Sequence, residues 1–279
     1  MPDHASRIQA ALSTRFGERL EIDAALPGLE ELASIVAHRV HRRYLAREVT
    51  PELLRLLCAC ALSAPSKSDL QQADILIVRD RAKTKAIGAL LPEMPWVCDA
   101  PVFLVFLANG GRLPQIARMR GKPFPNDHFD LLFNATVDAA IVLATFLRAA
   151  EAVGLGCCPI SVIRDHAATV SEMLALPEKV IPVAGMCLGW PAEQGGITPR
   201  LSLGTTVHEE SFAKKDVSAE IDTYDRRRAG VWPYRNQRDP EHFGRAEFYG
   251  WSEDKARQYA VPLRADFGAF VRAKGFHLD

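Results

Sequence analysis

The sequence carries no surplus of charge of either sign. Its 34 Lys and Arg residues balance 34 Asp and Glu over 279 positions. That balance excludes a general nucleic-acid binder and a protein drawn to acidic membrane surfaces. Long apolar runs are missing as well. The longest, Ala100 to Ala108, is too short to span a bilayer, which takes roughly 20 apolar residues. Met1-Pro2-Asp3-His4 lacks the basic-then-apolar pattern of a signal segment, so a cytoplasmic location and no membrane contact are expected. Six cysteines are present, but no Cys-x-x-Cys pair, so no metal site is expected and the thiols read as mostly buried and free. Gly154-Leu155-Gly156 has neither the third glycine nor the preceding strand of a dinucleotide fingerprint, which excludes a Rossmann reading. There is no internal repeat and no low-complexity linker.

What is present is an ordinary globular pattern with recognisable punctuation. Ile8, Leu12 and Phe16 recur at fourfold spacing and predict a helix over 3–20. Ala25-Leu26-Pro27-Gly28 breaks it. A second helix starts at Leu29 and carries a basic cluster at its end. Thr50-Pro51-Glu52 supplies an N-cap, a first-turn proline and an early acid for a helix through about Leu62. Residues 74–78 and 101–107 read as strands, the second apolar on both faces and therefore central. Residues 81–91 read as a helix, and 109–126 as a long polar surface excursion. The strongest helix signal is 127–153, apolar nearly all round and so buried in a core or an oligomer interface. Asp138 inside it needs a partner. Gly154 suits the left-handed position that ends such a helix. A further helix is expected over 165–176 and a strand over 181–188. After Phe212 the chain turns charged and aromatic, and 251–275 regains helical spacing. Residues 1–212 are thus expected to form a core, and 213–279 an arm with a helix that packs over the core or over a partner subunit.

Two stretches invite a chemical reading. His38-Arg39-Val40-His41-Arg42-Arg43-Tyr44 places five basic or potentially basic side chains in six residues. One reading is a solvated helix end favoured by the macrodipole. The other is a socket for a dianion, with Arg39 and Arg42 on one helical turn converging on a phosphate. Ala64-Pro65-Ser66-Lys67-Ser68 reads either as a polar loop or as small residues that let main-chain N–H groups approach a ligand.

Four pieces stand in order: the cluster at 38–44, Ala64-Pro65-Ser66-Lys67-Ser68, Gly154-Leu155-Gly156, and Leu188-Gly189-Trp190-Pro191 followed by Pro199-Arg200-Leu201. The ordered set resembles the FMN-dependent nitroreductase superfamily, in particular its NADPH-dependent nitroreductase and flavin-reductase branch, over roughly 29–279. The resemblance implies an α+β fold with a central, mainly antiparallel sheet flanked by helices, in an intertwined homodimer. It implies FMN as cofactor, with NADPH or NADH as co-substrate and a small-molecule electron acceptor. His38, Arg39, Arg42 and Arg200 would hold the FMN phosphate. Ser66, Lys67 and Ser68 would reach the flavin, usually from the second subunit, and Pro65 and Gln71, the latter matching a glutamine common in the branch, join the cofactor-binding set. Pro159, Ile160 and Ser161 would lie against the ring near N5, and Arg235 would receive substrate or NADPH. The chemistry implied is ping-pong hydride transfer through the flavin, so no protein acid–base pair is assigned, and His128, His166 and His208 read as structural or solvent-facing. Val40, Ser161 and Thr198 depart from the usual Ser, Gly and Lys of the pattern. An FMN storage or sensing module, and a dehalogenating or flavin-destroying relative, are the competing readings.

Overall fold

The computed structural model describes residues 3–212 and 214–279. In chain order its helices and strands are α1 (His4–Phe16), α2 (Leu29–Val36), α3 (Pro51–Leu62), β1 (Ala73–Val78), α4 (Arg81–Ala89), α5 (Trp96–Asp99), β2 (Val102–Asn109), α6 (Arg112–Met119), α7 (Phe129–Ala152), β3 (Gly156–Ile160), α8 (Ala167–Met173), β4 (Val180–Gly189), α9 (Leu203–Thr206), α10 (Ser218–Val231), α11 (Pro240–Phe243), α12 (Trp251–Tyr259) and α13 (Phe267–Ala273). The punctuation works as its chemistry suggests. Asp3 caps α1 by accepting from Ser6 N at 2.8 Å, and Gly17 ends that helix at φ 73°. Thr50 Oγ1 accepts from Leu53 N at 3.3 Å at the start of α3. Gly154, at φ 81°, follows the end of α7.

By internal contacts the chain forms two compact units. The first comprises residues 1–39 and 196–263, the second 40–195 and 264–279. The division expected at 212/213 from composition falls inside the first unit.

The second unit is built on a four-stranded sheet of order β1-β2-β4-β3, antiparallel at every pairing. This is the α+β arrangement that the family resemblance implies. Every β2 side chain from Val102 to Ala108 is buried. Val102, Leu104 and Phe106 meet one apolar cluster, with Leu54 and Leu57 of α3 and Val142 and Phe146 of α7. Phe103, Val105 and Leu107 meet a second, with Ile87 of α4, Val97 of α5 and Val170 of α8. The period-two alternation of a strand thus becomes two helical layers. Phe106 and Phe146 meet edge to face at 5.7 Å between centroids. The chain's last segment joins a third cluster, where Val271 and Phe276 pack with Ala108, Leu131 and Ile181.

The first unit is helical. Ile8 and Leu12 of α1 pack on Leu29 and Ala33 of α2. Tyr224 of α10 meets Trp251 of α12 edge to face at 5.2 Å, and buried Asp225 accepts from Ser252 N at 3.0 Å.

Several expectations are corrected. The basic cluster is not a helix end, because α2 stops at Val36 and 38–43 has no regular structure. The excursion at 109–126 contains α6. The turn after α7 opens directly into β3, a strand the sequence pattern did not announce. The helical stretch at 165–176 is a 3-10 segment, Val162–His166, followed by α8, and 251–275 holds two helices rather than one.

Helix α7 is long and apolar enough to cross a bilayer by length and composition alone. Within the unit its inner face carries Asp138, buried as expected of that position and fully partnered. Asp138 accepts from Ser66 Oγ at 2.7 Å, Lys67 N at 3.2 Å and Gln72 N at 3.0 Å. It therefore pins the 66–72 loop to the core. Asp138→Ala leaves these donors without their acceptor, and its expected cost is about 2–5 kcal/mol of stability, read from urea unfolding. A loss below about 1 kcal/mol would show that the loop finds other acceptors.

Candidate functional site

In the first unit, the residues after α2 leave the helix through a turn, without regular structure, beside a cavity of about 620 Å³. Arg15, His38 and Arg200 line it together with Phe16, Tyr224 and Trp251. Arg39, half-buried, donates from Nε to Ala37 O at 3.1 Å. Arg200 is exposed and donates from Nη1 to Pro199 O at 3.2 Å. Its segment is held by α10 and by Trp232, the residue that ends it. Trp232 Nε1 donates to Ile197 O at 3.3 Å, Tyr224 Oη to Pro199 O at 3.3 Å, and Arg227 Nη2 to Arg200 O.

In the second unit, residues 41–45 run along the margin of the sheet. His41 N donates to Cys157 O at 2.9 Å, Leu45 N to Trp190 O at 2.8 Å, and Ala192 N to Arg43 O at 3.0 Å. The His41 ring lies so close to Gly156 that a Cβ there would sit 2.7 Å from His41 Cγ. Only glycine fits beneath it. The Arg42 guanidinium stacks over Trp96 at 5.1 Å and lies beside the Cys158 thiol. Val40 packs with the apolar cluster around Cys158 and Ile160. The position without the usual serine is therefore a packing position in this chain. At the end of β3, Pro159 and Ser161 are exposed and Ile160 is buried.

The 63–72 loop borders a cleft of about 560 Å³ lined by Pro65, Ser66, Asp69 and Gln71 among others. Three of its residues, Ser68, Asp69 and Gln71, hold positive φ of 49°, 56° and 52°. Such backbone persists only where the surroundings fix it. Gln71 N donates to Ser66 Oγ at 2.8 Å, and Ser66 Oγ in turn to Asp138. Lys67 pairs with Asp130 at 3.4 Å through exposed side chains, which leaves the ammonium easy to redirect.

The structure therefore brings His38 and Arg200 to one cavity, and Pro65, Ser66 and Gln71 to one cleft. Arg39 and Arg42 do not share a helical face, since no helix runs through them.

The nitroreductase family pattern matches residues 35–190, and the pattern of that family's C-terminal domain matches residues 198–279. The chain belongs to the nitroreductase family. It is 32% identical over 254 residues to an FMN reductase (NAD(P)H) of Bacillus subtilis strain 168, covering 90% of this chain and 99% of that one. It is 29% identical to an NADPH-flavin oxidoreductase of Vibrio harveyi, over 88% of this chain and 97% of the relative. Among solved structures, NfrA2 of B. megaterium superposes with a TM-score of 0.81 at 30% identity, over 90% of this chain and 99% of that one. The NADPH:FMN oxidoreductase of Vibrio harveyi, solved with NAD+, superposes with a TM-score of 0.76 at 28% identity, over 88% and 97% of the two chains.

The donor set of this nitroreductase fits a flavin mononucleotide. A phosphate monoester carries nearly two negative charges and favours several cationic N–H donors. The Arg200 guanidinium makes a single hydrogen bond, to its neighbour's carbonyl, among the described residues, so most of its donor fork is available. Residue-type reasoning did not find Arg15, which lies outside both family matches, nor Arg227. The signal for Arg15 was only an arginine in the last turn of an amphipathic helix. His128 caps α7 by accepting from Asp130 N at 3.4 Å, in keeping with its structural reading.

Chemically, the site offers cations and main-chain groups but no activated nucleophile. Burial pushes the Cys157 and Cys187 thiols well up from their ordinary range and raises that of Cys158 against the opposing pull of Arg42. A buried thiol kept protonated is inert. Alkylation of the native protein at pH 8 is expected to label exposed Cys60 and to spare these three until denaturant is added, as read by peptide mass analysis. Early labelling of Cys157, Cys158 or Cys187 would contradict that assignment.

Proposed function

We propose that this chain is an FMN-dependent NAD(P)H oxidoreductase that reduces nitroaromatics, quinones or flavins. One observation carries the reading. His38, near the start of the first family match, and Arg200, near the start of the second, line the same cavity. A fold that gathers distant N–H donors around one space suits a single anionic group.

In this reading His38, Arg39 and Arg200 hold the FMN phosphate, and Arg42 is a further donor on the ground of the family pattern. Pro65, Ser66, Lys67, Ser68 and Gln71, with Pro159, Ile160 and Ser161, bound the flavin ring. Their part is to orient and to exclude water, with main-chain groups fixed by Asp138 and by the strand β3. The chemistry supplied by bound FMN is hydride acceptance at N5 from NAD(P)H and delivery to an acceptor in ping-pong order. Charge-assisted hydrogen bonds contribute roughly 1.5–3 kcal/mol each. Arg39→Ala and Arg200→Ala are each expected to weaken FMN binding about tenfold or more, read by flavin fluorescence titration. Unchanged affinity in both removes the phosphate assignment. Bleaching of bound FMN by NADPH without turnover of a quinone would identify a store rather than an enzyme.

The functional unit is proposed to be an intertwined homodimer. Phe129, Phe133, Val137, Ala140 and Ala144 form an exposed apolar stripe on α7, with Phe133 54% exposed. A stripe at this spacing, opposite the buried face, suits another copy of the helix. In light scattering the apo-protein is expected to remain dimeric at low concentration, and a stable folded monomer refutes the dimer.

Arg235 is proposed to receive NADPH. Of the arm cations, Arg227 and Arg228 donate to main-chain carbonyls of Arg15 and Trp232, and Lys215 to Gly204 O. Lys214, Arg226 and Arg235 are exposed. Arg235→Ala is expected to raise KM for NADPH more than for NADH, because the two differ by one 2′-phosphate. Equal increases would move Arg235 away from that phosphate.

A further inference from the structure

The segment before residue 35 lies outside both family matches, yet it supplies a buried arginine to the first unit. Arg15, in the last turn of α1, is 7% exposed. Its guanidinium donates from Nε to Val36 O at 3.1 Å, from Nη2 to His38 O at 2.6 Å and from Nη1 to Thr198 O at 3.2 Å. The first two acceptors lead directly into His38 and Arg39. The third lies two residues before Arg200. The connection is reinforced through the main chain, since Arg200 N donates to Arg15 O at 2.5 Å. Arg227 Nη1 donates to Thr14 O at 3.3 Å and to Arg15 O at 2.9 Å, while its Nη2 donates to Arg200 O. Glu18 Oε1 accepts from Leu203 N at 2.9 Å. The carbonyls at the end of α1, which no further helical turn satisfies, are thus used to hold the 198–203 segment.

Neither of the two cation-bearing segments belongs to a helix or a strand. Nothing in regular secondary structure sets the distance between them. Arg15 does so, with a planar fork that reaches both at once, which a lysine ammonium does not reproduce. Binding is favoured when donors are held in place before the ligand arrives.

We propose that α1 is an added clamp and that Arg15 is a positioning residue, setting the spacing of His38 and Arg39 against Arg200 and thereby the affinity for the FMN phosphate. The inference rests on FMN as the cofactor. It gives the N-terminal helix a role in the site that the family match does not contain.

The test compares two ligands that differ only in the phosphate. FMN and riboflavin are titrated against the full-length apo-protein and its variants by fluorescence quenching, with thermal unfolding followed in parallel. Arg15→Ala is expected to raise the Kd for FMN by about tenfold or more and to leave that for riboflavin within about twofold. Arg15→Lys is expected to recover little of the loss. A merely structural role would weaken both ligands alike, and that outcome overturns the proposal. Should Arg15→Ala not fold, Arg227→Gln at a half-buried position decides. It is expected to produce the same FMN-selective loss at about three- to tenfold, and no selectivity there also overturns the clamp. Arg200→Ala separates the two levels of inference. If it leaves FMN affinity unchanged, the assignment of Arg200 to the phosphate fails, and if the unmutated apo-protein binds neither flavin the cofactor reading itself fails. If it weakens FMN while Arg15→Ala does not, only the clamp is refuted.

Discussion

Because β2 is buried on both faces from Val102 to Ala108, the sheet requires an apolar layer on each side. Helices α3 and α7 provide one, and α4, α5 and α8 the other. With both faces taken, the sheet's margins are where main-chain groups remain to be used. Residues 41–45 exploit one margin, bonding to Cys157 and Trp190 at the ends of β3 and β4. The loop at 66–72, next to β1, is tied to the core by one buried carboxylate, Asp138. These two segments, proposed above to meet the flavin, are therefore irregular in conformation but fixed in place. Hydrogen bonds to the core do for them what helix or strand geometry does elsewhere.

The first unit reaches the same end with arginine. A guanidinium that satisfies main-chain carbonyls organises backbone without adding a second helix or strand. Arg15 and Arg227 both act this way, on carbonyls of residues 36, 38, 198 and 200. The placement of His38 and Arg200 around one cavity is consequently a property of the side chains behind them as much as of their own sequence.

What was legible in the sequence follows the range of the forces involved. The start of α3 was legible because Thr50, Pro51 and Glu52 act within one turn. The centrality of β2 was legible because an unbroken apolar run can satisfy itself only between two layers. The partner of Asp138 was not named, but the need for one was. The basic cluster was misread as helical for a long-range reason. A continuing helix would use Val36 O and His38 O to accept from Val40 N and Arg42 N. Arg15 takes both carbonyls instead, from a position more than 20 residues earlier. Strand β3 escaped notice because it is short, contains a proline and begins just after Gly154. Of the proposed site, the residue types and their order come from the family resemblance. The contribution of Arg15 was not, since it acts only through the backbone of other residues.

The contact between His41 and Gly156 has a consequence for how this sequence can drift. The space for any side chain at 156 is already filled by the imidazole at 41, with 2.7 Å left between a would-be Cβ and His41 Cγ. A change at 156 alone is therefore closed, while a smaller residue at 41 would open it. The two positions form a ratchet with a fixed order of steps, in which the histidine must shrink before the glycine can grow. The main-chain bond from His41 N to Cys157 O does not depend on either side chain and would hold the segment in place through both steps.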